Sequence, residues 1–150
     1  LSPHTTITVR TTAPNWLFRE NMPKNLRVLE ACIDPDVGEQ GVFKIDWKAC
    51  AESLLSFLRR RKKIVAKEKT WIRDNEVDRI VADIPFLAGE IAKAADVPCT
   101  GISNFLWDWV YEPIVAQHED ADLLLKTVSH AYSNFDRMLR LPFAHSMRDR

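Results

Sequence analysis

Residues 77–103, VDRIVADIPFLAGEIAKAADVPCTGIS, limit the possible folds more than any other stretch of the chain. VDRIVADI reads as a buried strand, with Ile80, Val81 and Ile84 apolar. PFLAGEIAKAAD reads as a helix entered at Pro85, because the first helical turn has no use for the N–H that proline lacks. Phe86, Ile91 and Ala95 are its expected packing residues. VPCTGIS reads as a second strand. Two strands joined by a helix of this length form a right-handed crossover, which commits them to a parallel sheet.

The flanking segments extend the pattern. The β-branched run from His4 to Thr11 reads as a strand, and Pro14 then opens a short helical turn. NLRVLEACI, with Leu26, Val28, Leu29 and Ile33, is a second strand candidate. A loop carrying Pro35, Gly38 and Gly41 follows it. From Trp47 to Arg73 there is no proline or glycine. Trp47, Ala51, Leu54, Leu58, Val65 and Ile72 recur at helical spacing, and Leu55, Phe57, Ile64 and Trp71 widen the stripe. Such a helix is about 40 Å long. Asn104 is placed to cap a helix through FLWDWVYEPI, and a further helix from Asp122 to Arg137 leads into a last strand, MLRLPF. The expected fold class is α/β, doubly wound around a mostly parallel sheet, and 150 residues suit one domain.

Composition removes several function classes. Hydrophobic residues make up 46% and charged residues 28%, which argues against disorder. Twenty-one basic residues balance twenty-one acidic ones, so no general pull toward nucleic acid or anionic lipid is expected. The run RRRKK, Arg59 to Lys63, spreads around a helix rather than forming one stripe, and reads as a solvated face rather than a nucleic-acid site. No apolar run reaches the roughly 18 residues of a membrane helix. Cys32, Cys50 and Cys99 have neither zinc-ligand nor disulfide spacing, which suits reduced thiols in a cytoplasmic protein. The four histidines, His4, His118, His130 and His145, lack metal-ligand spacing, so no metal is expected. Neither GxGxxG nor GxxxxGK[ST] occurs, so no phosphate loop and no cofactor is expected.

Ligands of open α/β sheets bind beyond the carboxyl ends of the strands. One strand ends at Asp83, the other at Ser103 and Asn104, with Trp107 and Asp108 a helical turn further on. Asp83 suits hydrogen bonding to a sugar hydroxyl, or general-base chemistry toward one. Helix capping is the somewhat stronger reading of Asp83 and of Asn104, and one residue can serve both roles. In ISNFLWDW, Phe105 and Trp109 lie at i, i+4 and are the expected core pair, leaving Trp107 and Asp108 for the crevice.

The stretch VDRIVADIPFLAGEIAKAADVPCTGISNFLWDWVYEPI closely resembles a segment in the N-terminal lobe of glycosyltransferase-like proteins built from two Rossmann lobes, the B-type architecture. The same kind of segment opens sugar kinases of the L-arabinokinase type, ahead of their kinase domain. An Asp-x-Pro strand end, an Ala-rich helix, VP and then SNFxWDW with a following Tyr carry the resemblance, and RTTAPNWLF and DRMLRLPF fit it at both ends. It implies an incomplete, acceptor-side lobe over residues 1–150, wanting the family's first strand with its Gly/His-containing loop and the second lobe. The chain also begins with Leu rather than Met, as a fragment would. On this resemblance Asp83, Ser103, Asn104, Trp107 and Asp108 stand on the acceptor side of a cleft. The family's usual base has no counterpart, which leaves Asp83 as a substitute.

The expected partners are therefore a nucleotide-sugar donor, held through the missing lobe, and a hydroxyl acceptor. The leading expectation is part of a glycosyltransferase, with little activity by itself. A non-catalytic sugar- or nucleotide-sensing lobe attached to a sugar kinase is the alternative, and an interaction scaffold built on the long basic helix is the third.

Overall fold

A computed structural model describes residues 5–18, 25–35, 45–116 and 118–144. The chain divides into two compact units, Leu1–Ile33 and Asp34–Arg150.

In the first unit, β1 (Ile7–Thr11) and β2 (Leu26–Glu30) pair in parallel, in register from Ile7 opposite Leu26 to Thr11 opposite Glu30. Between them Asn15–Phe18 forms a 3-10 turn, entered where the Leu17 amide donates to the Pro14 carbonyl. Proline's fixed φ pre-sets such a turn. A groove of about 230 Å³ lies at the carboxyl ends of these two strands, with Thr11, Thr12, Asn15 and Glu30 in its lining. It contains none of Asp83, Ser103, Asn104, Trp107 and Asp108. His4, Gly38 and Gly41 lie outside the described residues.

The second unit opens with α1 (Trp47–Asp74), started by Asp46, whose Oδ1 accepts from the Ala49 amide at 3.0 Å. This bond satisfies one of the amides that a helix start leaves without a partner. Asp46→Ala is expected to cost about 1 kcal/mol, read as a lower urea midpoint with unchanged m. The stripe holds at Ala51, Leu54 and Ile72, all buried, while Trp47, Leu58 and Val65 are only half-buried. Phe57 takes the place expected of Leu58 and packs edge-on against Phe86, ring centroids 5.7 Å apart. The basic run is split as well: Arg61 pairs with Glu90 of the next helix, and its four neighbours in the run are exposed.

β3 (Ile80–Ala82), α2 (Ala88–Ala95) and β4 (Cys99–Ser103) form the expected crossover, and β5 (Arg137–Arg140) completes a parallel sheet ordered β3-β4-β5. Asp96, in the left-handed region at φ 62°, ends α2 and turns the chain toward β4. Aspartate tolerates that conformation better than most residues. Ala82, Ala88, Ala92 and Cys99 join in a core between sheet and helix. Aligned residues of parallel strands project to one face, so Ala82, Gly101 and Met138 share the covered side. Val81 and Leu139 project the other way and are 64% and 52% exposed. The strand is thus packed on one face only, and Val81 is not the buried residue that its composition implies.

α4 (Ala121–Ala131) stops well short of Arg137. Ser133 Oγ donates to the His130 carbonyl and Asn134 Nδ2 to that of Ala131, at 2.7 and 3.1 Å. These side chains occupy carbonyls that a longer helix would need. A 3-10 turn, Tyr132–Asn134, follows, packed close to α2 at Gly89. A Cβ at Gly89 would stand 2.8 Å from the Asn134 carbonyl carbon, so only glycine lets this turn come so near. The architecture is mixed α/β with parallel, Rossmann-like sheets. Among the described residues no helix is long and apolar enough to cross a membrane.

Candidate functional site

The carboxyl ends of β3 and β4 are adjacent, because these strands pair directly. Asp83 follows β3 and is exposed. Ser103 ends β4 but is buried, and its Oγ accepts from the Phe105 amide at 3.2 Å. Its hydroxyl therefore shapes the turn after the strand, while Asn104 beside it is exposed.

Neither Asp83 nor Asn104 caps a helix. The residue preceding α2 is Leu87, four positions after Asp83, and α3 (Trp107–Val110) is preceded by Leu106 in extended conformation. The late start of α3 also reverses the expected roles of the aromatics. Phe105 precedes the helix, so the i, i+4 relation to Trp109 does not apply, and Trp109 is 43% exposed. Trp107 is the inner indole. It stacks on buried Tyr111 at 5.4 Å and meets Phe105 edge-on at 5.9 Å. Asp108 is half-buried, with Oδ1 accepting from the Trp109 amide at 3.0 Å.

One buried phenol joins the two strand ends. Tyr132 Oη donates to the Ile84 carbonyl at 3.0 Å and accepts from the Trp107 amide at 3.2 Å. The first bond holds the segment after Asp83 and the second holds the residue before Asp108. Burial pushes the Tyr132 phenol above its usual range; the hydrogen bond from Trp107 opposes this, and Asp34, Asp108 and Tyr111 add to it. Tyr132 therefore remains protonated and a donor at any physiological pH.

Asp34 is the second residue that sequence reasoning missed. Burial, and secondarily the negative charge of Asp83, push its carboxyl up to about 7. A carboxyl raised this far, chiefly by burial, is the kind of group found in sites that bind or move protons. Asp34 lies four positions past the end of β2, so the strand-end rule does not single it out. Nothing local marks Tyr132, which the helical pattern absorbs. Cys99 carries no such promise: burial, with Asp136 adding to it, pushes its thiol up to about 12, which makes it an unreactive core residue. Among the described residues no cluster of His, Cys, Asp and Glu could hold a metal ion.

The chain is similar to L-arabinokinase of Arabidopsis thaliana. The two are 23% identical over 137 residues, covering 89% of this chain but only 13% of the kinase. No family model matches the chain, and no solved structure matches it.

Proposed function

We propose that the chain is a partial, acceptor-side Rossmann-like lobe of a glycosyltransferase, in which Asp83, Asn104, Trp107 and Asp108 receive a hydroxyl-bearing acceptor. The observation that supports this reading is that exposed Asp83 and Asn104 follow two adjacent strand ends, with Asp108 in the helix after them, and that neither Asp83 nor Asn104 is used as a cap. Ser103 contributes from behind, through the turn it closes. A nucleotide-sugar donor would be held by a second lobe.

Most of the rate in such a site comes from orienting the acceptor and from electrostatics. In the transfer, the acceptor oxygen bonds the anomeric carbon, the bond to the nucleotide breaks, and the acceptor proton passes to a carboxylate. Asp83 is the one exposed for it.

The similarity to L-arabinokinase favours a second reading, a sugar-sensing lobe that precedes a kinase domain. Thermal-shift screening of the protein against free monosaccharides and nucleotide sugars separates the two. A shift with a nucleotide sugar supports the transferase, and a shift with a free sugar alone supports the sensor. Asp83→Asn is expected to abolish a shift given by a free hydroxyl-bearing sugar while moving the unliganded melting temperature little, because Asp83 is exposed and caps nothing. No shift with either class would sink both readings.

A further inference from the structure

The groove at the carboxyl ends of β1 and β2 gathers polar side chains that the site at β3 and β4 does not use. The strand register sets Thr11 opposite Glu30, so both project to one face, and half-buried Val28 shares it two positions back. Thr11 Oγ1 accepts from the Ala13 amide at 3.0 Å, which leaves its own O–H to donate elsewhere. Past Pro14, the 3-10 turn adds Asn15 to the lining. Thr12, Asn15 and Glu30 are exposed, and among the described residues their side chains make no hydrogen bond. Trp16, directly after Asn15 in the same turn, is 66% exposed. All of these residues belong to the first unit.

We propose that this groove is a second ligand site, which takes one hydroxyl-bearing ring, a free sugar or the sugar of a larger ligand, with Trp16 covering the ring's apolar face. It rests on none of the residues assigned to the hydroxyl site above, so the two can fail separately.

The lining decides the ligand class. The threonine hydroxyls and the Asn15 amide both donate and accept, and the Glu30 carboxyl accepts. A sugar hydroxyl also does both, so neighbouring hydroxyls can pair with neighbouring groups of the groove. A phosphate needs donors and positive charge, and no lysine or arginine is among the described lining residues. A wholly apolar ligand would cover these polar groups without pairing them, which opposes binding. At about 230 Å³ the groove is smaller than the roughly 300–1,000 Å³ of pockets that enclose drug-sized ligands, which limits it to a single ring. The C–H face of a sugar ring is apolar, and a tryptophan beside the groove offers a large flat surface to cover it.

Two-dimensional 1H–15N spectra of the whole chain read the two sites apart. D-glucose, D-galactose, D-mannose and myo-inositol are titrated first, then UDP-glucose and inorganic phosphate. A free sugar or UDP-glucose is expected to move the amides of Thr11, Thr12 and Glu30 and the indole N–H of Trp16, assigned through Trp16→Phe. Glu30→Ala and Trp16→Ala should each weaken that binding about fivefold or more. Both should leave the melting temperature nearly unchanged, because both side chains are exposed. Asp83→Asn should not alter binding in the groove. Shifts with a free sugar assign the site to monosaccharides, and shifts with UDP-glucose alone assign it to a sugar carried on a nucleotide. Inorganic phosphate moving the same resonances, or binding that survives both alanine substitutions, overturns the proposal. Shifts confined to Asp83 and Asn104 overturn it too while upholding the other site, and silence from every ligand overturns both.

Discussion

Asp34→Asn is expected to flatten the pH dependence of stability and to make the protein more stable than wild type above pH 7. The Asp34 carboxyl is raised from 3.8 to about 7 in the folded protein. The folded state therefore holds a proton that the unfolded chain releases at lower pH. Stability from this group is fully present below pH 3.8 and is lost as pH rises through about 7. At about 1.4 kcal/mol per unit, the loss is about 4 kcal/mol at most. Asparagine has nearly the shape of a protonated aspartate and no charge to lose. Urea midpoints of wild type and Asp34→Asn at pH 5 and pH 8 check this. The wild type should fall by several tenths molar or more between them, and the variant should fall less. Equal slopes would mean that Asp34 is solvated like a surface carboxylate.

Phe57→Ala is expected to lower stability by about 3–5 kcal/mol, the usual range for deleting a fully buried aromatic ring. Phe57 is 1% exposed and fits edge-on against Phe86, which is itself fully buried. That contact fastens the middle of α1 to the segment entering α2. Deleting the ring loses its transfer free energy and leaves a cavity that two helices cannot collapse to fill. Leu58→Ala, one position on, should cost far less because Leu58 is half-buried. Equal losses from the two substitutions, measured by urea denaturation, would mean that α1 turns a different face inward.

The two positions show what a periodic pattern can and cannot say. Spacing along 28 residues defined α1 almost to the residue, since proline, glycine and apolar recurrence are local signals. It could not say which half of a broad stripe meets α2, because that depends on where the partner helix lies. Val81 makes the same point for the sheet: alternation identifies the strand, but whether both faces are covered is decided by elements elsewhere in the chain. In ISNFLWDW the error had one source. Helical spacing was extended back to Phe105, and the chain is extended up to Leu106.

The candidate site divides in the same way. Strand ends are legible once strands are, so the sequence could place Asp83 and Asn104 at adjacent strand ends, with Asp108 in the short helix that follows. Asp34 and Tyr132 were not legible, since their properties come from burial and from groups tens of residues away, at Asp83 and Ile84. By itself, then, the sequence determined the element types, the parallel crossover, the near-zero net charge and the strand-end residues, all of which follow from local chemistry and counting. Tertiary structure alone decided which indole turns inward, which face of β3 stays bare, and that the Asp34 carboxyl is raised, chiefly by burial. Solvent exclusion and charge–charge distance are properties of the packed chain, and no single segment carries them.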